Sequence, residues 1–404
     1  MKFIHFADAH LDSPFRGLSF LPSEEFNHIY QAADQSLKRI VDLALAEKVD
    51  LVLIAGDTFD SSQPSPRAQL FFAEQVKRLT DAQIQVVMIF GNHDHMKQED
   101  LLVSPSPYFK LLGNNETVEQ ATFTTDAGFN YDVIGFSYLN NHITEDKIPE
   151  FPAKGKNYTF GLMHAQEKSA TASQNVYAPF TVDELQNLNY DYFALGHIHA
   201  RNNLSSTPWI VYPGNIQGRH INEMGAKGCY LGEIDENSGT TIDFKETGPI
   251  LWQGTKINLE GAISKADLQA KIIAKLESGQ KTYFSLTIAG AQYLSAEERD
   301  LVQDPDFWQT ISQSLPFASQ LVDVRFVVNT SLKLNDNDQQ AFQAAKEELF
   351  APAEFKQIVS DWQKKDPEAA KLAADPDFIA AVKNLTEVKL MSKLKGIKDE
   401  TETN

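Results

Sequence analysis

The chain has 404 residues, enough for two or three domains, which excludes a single small module. Apolar residues make up 42% and charged residues 23%, and no run of 18 or more apolar residues occurs, so a soluble globular protein without a membrane span is expected. A formal charge of −19 argues against coating nucleic acid by charge alone, yet leaves nuclease chemistry open, because bound divalent cations or a partner can supply the positive surface.

The opening Met1-Lys2-Phe3-Ile4-His5-Phe6-Ala7-Asp8 turns polar after a few apolar residues. It reads as a first strand rather than a signal peptide, which predicts a cytoplasmic location. Short apolar bursts predict further strands at Leu51–Ala55, Val86–Phe90, Asp132–Phe136, Phe160–Met163 and Tyr192–Leu195. Between the first three strands, Glu24–Lys48 and Pro66–Ala82 have helical spacing; in the former, Ile29, Ala33, Leu37, Ile40, Val41 and Ala44 recur on one face. Alternating strands and helices predict an α/β fold, a layered sheet core flanked by helices. The glycines after Tyr212-Pro213-Gly214 punctuate strands that close the sheet, and the only cysteine, Cys229, is expected to be a small buried residue.

A first domain is expected over 1–250. A small α+β cap follows over 251–335, with helices at Lys265–Leu276 and Trp308–Leu315 and strands at Thr282–Ile288 and Val322–Val328. The remainder, 336–404, predicts a helical tail that could bind a partner, and its stretch Lys383–Lys398 carries five lysines against one glutamate. Acidity concentrates at the other end: residues 1–250 hold 18 basic against 32 acidic residues, a balance of −14 that leaves −5 for the rest.

Five clusters stand at or near predicted strand ends: Asp8-Ala-His10, Gly56-Asp57, Gly91-Asn92-His93-Asp94, His164 and Gly196-His197-Ile-His199. In an open α/β sheet the carboxyl ends of the strands form the ligand-binding edge, so clusters placed there converge. Glycine before Asp57, Asn92 and His197 permits a sharp turn and leaves room beside the backbone. Asp8, His10, Asp57, Asn92, His164, His197 and His199 make seven potential ligands. Imidazole and carboxylate donors without thiolate suit Mn²⁺, Fe²⁺ or Zn²⁺ and disfavour a structural zinc site. If one carboxylate bridges, these seven supply four ligands to each of two ions, an arrangement that can hold a bridging hydroxide for in-line attack at phosphorus.

Asp-x-His, Gly-Asp, Gly-Asn-His-Asp and Gly-His-x-His, in this order over roughly residues 1–220, resemble the calcineurin-like metallophosphoesterases. The resemblance implies that Asp8, His10 and His199 bind one metal ion, that Asn92, His164 and His197 bind the other, and that Asp57 bridges them. It further implies that His93 stabilises the transition state or protonates the leaving group, with Asp94 orienting it. Ala55-Gly-Asp-Thr-Phe-Asp60, the following Gln63-Pro-Ser-Pro66 and the added C-terminal segments resemble the SbcD-type DNA repair exonucleases. Asp8-x-His-Leu-Asp-Ser-Pro-Phe and Tyr212-Pro-Gly-Asn-Ile-Gln-Gly-Arg-His look most similar to the bacterial YhaO branch. That group implies a Mn²⁺-dependent DNA exonuclease, a homodimer and an SbcC-type coiled-coil ATPase partner. Asp60 stands where relatives carry a histidine, and Asp12 where the wider group has glycine, so neither inherits a role.

Arg219 and His220 are candidate contacts for substrate phosphates, with a solvated loop as the alternative. His5 suits a satisfied core position, while Phe307, Trp308 and Phe317 suit a core more than a base-stacking surface. Two rival functions stand beside the exonuclease: a phosphodiesterase or phosphatase acting on small molecules or cyclic nucleotides, and a non-catalytic scaffold.

Overall fold

The computed structural model describes residues 1–327 apart from 114, 169–175 and 236–238, together with isolated positions between 340 and 386. The chain divides into two compact units, Met1–Trp252 and Gln253–Asn404. The tail expected over 336–404, with its lysine-rich end, falls almost wholly outside the described residues. Among the described residues, no helix is long and apolar enough to cross a membrane.

The first unit runs β1 (Lys2–Phe6), α1 (Ser23–Tyr30), α2 (Ala32–Glu47), β2 (Leu51–Ala55), α3 (Pro66–Asp81), β3 (Gln85–Ile89), β4 (Phe109–Leu111), β5 (Glu119–Thr124), β6 (Asn130–Gly135) and β7 (Tyr158–His164). It continues through α4 (Val182–Asn187), β8 (Tyr192–Gly196), β9 (Asn202–Ser206), β10 (Trp209–Tyr212), β11 (Gly228–Asp235) and β12 (Gly239–Glu246). These strands form two six-stranded sheets, ordered β12-β11-β1-β2-β3-β4 and β5-β6-β7-β8-β10-β9. In the first sheet β1 to β4 are parallel, and in the second β6, β7, β8 and β10 are parallel.

Strand alternation explains the layering. Phe3, Leu51, Leu53, Val87 and Ile89 point inward to meet Tyr131, Val133, Phe160, Leu162, Tyr192 and Ala194 of the other sheet. Their neighbours Ile4, Phe6, Val52, Ile54, Val86 and Met88 point outward and pack on Leu37, Ile40, Val41 and Ala44 of α2 and Phe72, Val76 and Leu79 of α3. Strands buried on both faces read as continuous apolar runs, all five residues of β2 and four of the five of β3, which is why they stood out in the sequence. The outer face of the second sheet is covered by a further cluster that includes Phe136, Phe151, Phe180, Leu185 and Tyr190.

The single helix expected over Glu24–Lys48 is two helices, broken at Gln31 (φ −92°, ψ 0°). Just before the break, the Tyr30 hydroxyl donates to Asp12 Oδ1 at 2.5 Å. Asp12 has φ +73°, a conformation that favours glycine, and its carboxylate collects Tyr30, the Ser65 N–H and Arg67.

In the second unit β13 (Leu251–Asn258), α5 (Lys265–Lys275), β14 (Thr282–Ala289), α6 (Ala296–Gln303), α7 (Pro305–Ser312) and β15 (Gln320–Val327) form a three-stranded sheet, ordered β13-β14-β15, with helices. The sequence reading lacked α6, although Ser295 and Glu298 form a full capping box at its start. It also set α7 three residues late, past the Asp304 cap and the proline at its first position. Phe307 is buried in this unit's core and Trp308 packs against it, donating its indole N–H to Val302, whereas Phe317 is exposed.

Candidate metal centre

The carboxyl ends of β1, β2, β3, β7 and β8 meet at one edge of the first unit. There the chain brings together Asp8, His10, Asp57, Asn92, His164, His197 and His199, residues that span almost 200 positions in sequence. The turns that carry them are tight: Asp8, His10, Asp57 and His197 all have positive φ. Two of the preceding glycines are required by space. A Cβ on Gly196 would stand 1.9 Å from the Ala55 carbonyl oxygen, and one on Gly91 would stand 2.3 Å from Asp57 Oδ1.

His10 and His199 face each other Nε2 to Nε2 at 2.9 Å. His199 gives its Nδ1–H to Glu223 Oε1 at 2.6 Å, and His10 Nδ1 lies 3.1 Å from Asp60 Oδ1. The bond to Glu223 leaves His199 Nε2 as a lone pair facing His10 Nε2, a pair of ring nitrogens that can share a proton or a cation. In the other half of the site two imidazoles face one amide oxygen. His164 donates Nδ1–H to the Ala55 carbonyl at 3.0 Å, so its Nε2 meets Asn92 Oδ1, an acceptor, at 2.9 Å. His197 Nδ1 lies 3.1 Å from the same oxygen. Asp57 stands between the halves, its Oδ2 3.6 Å from His10 Nε2 and 3.4 Å from His164 Nε2.

Charge follows this geometry. Burial brings His10 down to about 4 and His197 to about 3, keeping both imidazoles neutral. Burial also pushes Asp8 up to about 6. At Asp57 burial opposes ionisation, but the charge and contact of His164, then His10 and His93, outweigh it and hold the carboxyl well below its ordinary range. His164 shows the converse: burial disfavours its charge, and Asp57 overrides this to raise it to about 9. Three groups could hold a metal ion, each with ligand atoms within 4.8 Å of one another: Asp8, His10 and His199; Asp8, Asp57 and His164; and His10, Asp60 and His93. Converging oxygen and imidazole acceptors without thiolate fit divalent cations.

His93 sits at the exposed edge. Its backbone N–H donates to Asp57 Oδ1 at 2.9 Å, and its Nδ1 meets the Asp60 carbonyl at 3.2 Å. Asp94, expected to orient the His93 ring, does something else. Its Oδ1 accepts the Gly91 N–H at 2.6 Å, and its Oδ2 accepts those of Thr58 at 2.6 Å and Phe59 at 3.4 Å. Asp94 therefore clamps the loop after β3 to the loop after β2, and the Asp60 main chain holds the His93 ring. Burial and the charge of Asp57 push Asp94 up to about 7.

Arg219 is engaged within the protein: its Nη2 lies 2.6 Å from Asp60 Oδ1 and its backbone N–H donates to Glu223 Oε2 at 2.6 Å. His220 is exposed, with Nε2 3.3 Å from Glu223 Oε1. His5 is a buried core residue bonded to the Tyr192 hydroxyl and the Leu195 carbonyl, and Cys229 is buried with its thiol pushed up to about 12 by burial. The sequence reading passed over Glu223, which also accepts from Asn215 Nδ2 at 2.8 Å, and Tyr177, whose ring centroid is 4.4 Å from that of His197. The signal for Glu223 was available, since an imidazole ligand needs an acceptor for its other ring nitrogen.

Residues 1–201 match the family model described as calcineurin-like phosphoesterase. The match lies within the first unit, Met1–Trp252. The chain is 36% identical over 264 residues to the uncharacterized metallophosphoesterase YhaO of Bacillus subtilis, covering 65% of this chain and 64% of that protein. It is 28% identical over 273 residues to the DNA double-strand break repair protein Mre11 of Saccharolobus solfataricus, covering 62% of each. The protein of the same name from Methanocaldococcus jannaschii is 26% identical over 260 residues, 61% of this chain and 65% of that one. The chain thus spans a little under two thirds of the length of these relatives. Metallophosphoesterases are hydrolases that use divalent metal ions, and the His and Asp groups of this domain are able to bind them.

Proposed function

We propose that the chain is a DNA exonuclease that hydrolyses phosphodiesters with two divalent cations, most simply Mn²⁺, and works as a homodimer with a coiled-coil ATPase subunit in DNA repair. The observation that carries the chemistry is the convergence of His10 with His199 and of His164 with Asn92 on either side of Asp57, a set of imidazole and oxygen donors around one buried carboxylate. DNA as substrate is supported by the relatives named for double-strand break repair.

In this reading Asp8, His10 and His199 would hold one cation and Asn92, His164 and His197 the other, with Asp57 within reach of both. When bound, the cations supply Lewis acidity and neutralise charge at the phosphoryl group. The chain does the rest. Asp57 is kept ionised and fixed by the His93 N–H. Asp94 ties together the two loops that present Asp57 and Asn92. With Nδ1–H given to the Asp60 carbonyl, protonated His93 would donate its Nε2–H to the leaving oxygen as water adds to phosphorus and the ester P–O bond breaks, and the proton released by the water would restore the imidazolium. In this reading exposed His220 would meet a phosphate, whereas Arg219 would do so only if its pair with Asp60 opens.

The test is hydrolysis of a labelled linear DNA duplex and of bis-p-nitrophenyl phosphate, each with Mn²⁺, with EDTA and with H93A. Shortening of the duplex that requires Mn²⁺ and His93 supports the exonuclease. Cleavage of the small ester alone, even with the ATPase subunit added, favours the small-molecule phosphodiesterase, a reading that the net charge of −19 suits.

A further inference from the structure

The contacts around His10 and His199 close into a ring. From His10 Nδ1 it passes to Asp60 Oδ1 at 3.1 Å, and from the same oxygen to Arg219 Nη2 at 2.6 Å. The Arg219 backbone N–H donates to Glu223 Oε2 at 2.6 Å, Glu223 Oε1 accepts from His199 Nδ1 at 2.6 Å, and His199 Nε2 returns to His10 Nε2 at 2.9 Å. A carboxylate thus stands behind each imidazole, hydrogen-bonded to His199 and at ion-pair distance from His10, and one arginine lies against both carboxylates, by its guanidinium on one side and its main chain on the other. Among the described residues the other half of the site has no such device: His164 is braced by a strand carbonyl, which the fold fixes by itself.

We infer that Arg219 and Asp60 are positioning residues that set the metal affinity of the His10–His199 position selectively, so that Arg219 serves the metal site before it serves substrate. This rests on the two-metal reading above. Outer partners of a ligating imidazole fix its tautomer and ring orientation. Asp60 is the weaker of the two braces when alone, because its side chain is partly open to solvent and the His10 contact is the longer, so pairing with the Arg219 guanidinium holds it in place. Lysine would restore the charge but not the planar fork that fixes direction. Asparagine at position 60 would keep an acceptor for His10 and lose the charge that holds Arg219.

The experiment is Mn²⁺ titration of the full chain, followed by the electron paramagnetic resonance signal of free Mn²⁺, with a thermal melt of each variant as a check on folding. In an H164A background, which leaves only the His10–His199 position, R219A and D60A are expected to weaken Mn²⁺ binding by about 10- to 100-fold, the usual cost of losing an outer partner. D60N and R219K fall between these and the parent. In an H10A background, which leaves the other position, R219A is expected to change affinity less than about 3-fold, a margin far below that 10- to 100-fold loss. Unchanged affinity in D60A and R219A, with a raised KM for the phosphodiester in R219A, would make Arg219 a substrate contact and overturn the inference alone. Wild-type protein binding fewer than two Mn²⁺ would overturn the two-metal reading and this inference with it.

Discussion

Replacing Asp94 with asparagine separates a clamp from an orienting group. The Asp94 carboxylate is fully buried and takes three backbone N–H groups from two loops, Gly91 on one oxygen and Thr58 and Phe59 on the other. An amide has one acceptor oxygen, so whichever way the side chain of D94N turns, its NH₂ faces at least one buried N–H. Leaving a buried donor unmade costs about 1–3 kcal/mol. For a unit of this size, a loss near 2 kcal/mol corresponds to a fall in Tm of roughly 4–8 °C. Measured at pH 8, above the value of about 7 to which burial and Asp57 bring Asp94, the wild-type carboxylate is ionised and the comparison is with its full acceptor capacity. The expected result is a lower melting temperature with a modest loss of rate, against a fall of about 10²–10⁴ in kcat for H93A, which removes the proton donor. A D94N protein that melts with the wild type and loses as much rate as H93A would refute the clamp and restore Asp94 as the partner of His93.

His5 is buried and lowered to about 3, so the folded state holds it neutral. Its stabilisation is present above pH 6.5 and is lost as pH falls toward 3; between pH 7 and 5 it contributes about 2 kcal/mol to the decline, seen in urea melts as a narrowing gap between wild type and H5Q. G196A places a methyl against the Ala55 carbonyl and is expected to destabilise by about 3 kcal/mol in the same assay, whereas G17A, with open space around its Cβ, leaves the midpoint within about 0.5 kcal/mol. His164 is raised to about 9 without metal, so Mn²⁺ binding at pH 7.5 releases about one proton from it, measurable by calorimetry in two buffers of different ionisation enthalpy, and binding tightens as pH rises toward 9.

The parts of this fold that were legible in the sequence are those where both faces of an element are buried or where a side chain has one chemical use. β2 is apolar at all five positions and its span was anticipated residue for residue. The second sheet was not seen as separate. Its edge strand β5 alternates half-buried with exposed residues, and β9 is polar throughout apart from Leu204, so neither stands out from a loop. The break at Gln31 was hidden because the apolar spacing runs through it, while the contact between Tyr30 and Asp12 is tertiary. In the site, Asp8, His10, Asp57, Asn92, His164, His197 and His199 converge as their strand-end positions implied. What surrounds them was harder to foresee. Asp94 follows His93 directly, yet successive side chains leave a tight turn in different directions, and the carboxylate went to backbone donors. Glu223 reaches His199 from 24 residues away through a loop with no periodicity to read.

Crystals of the full chain grown with Mn²⁺ and measured at the manganese absorption edge test the central claim most directly. Two anomalous peaks are expected, one against Asp8, His10 and His199 and one against Asn92, His164 and His197, with Asp57 touching both. A single peak, or peaks that leave Asp57 without a metal contact, would contradict the two-metal account.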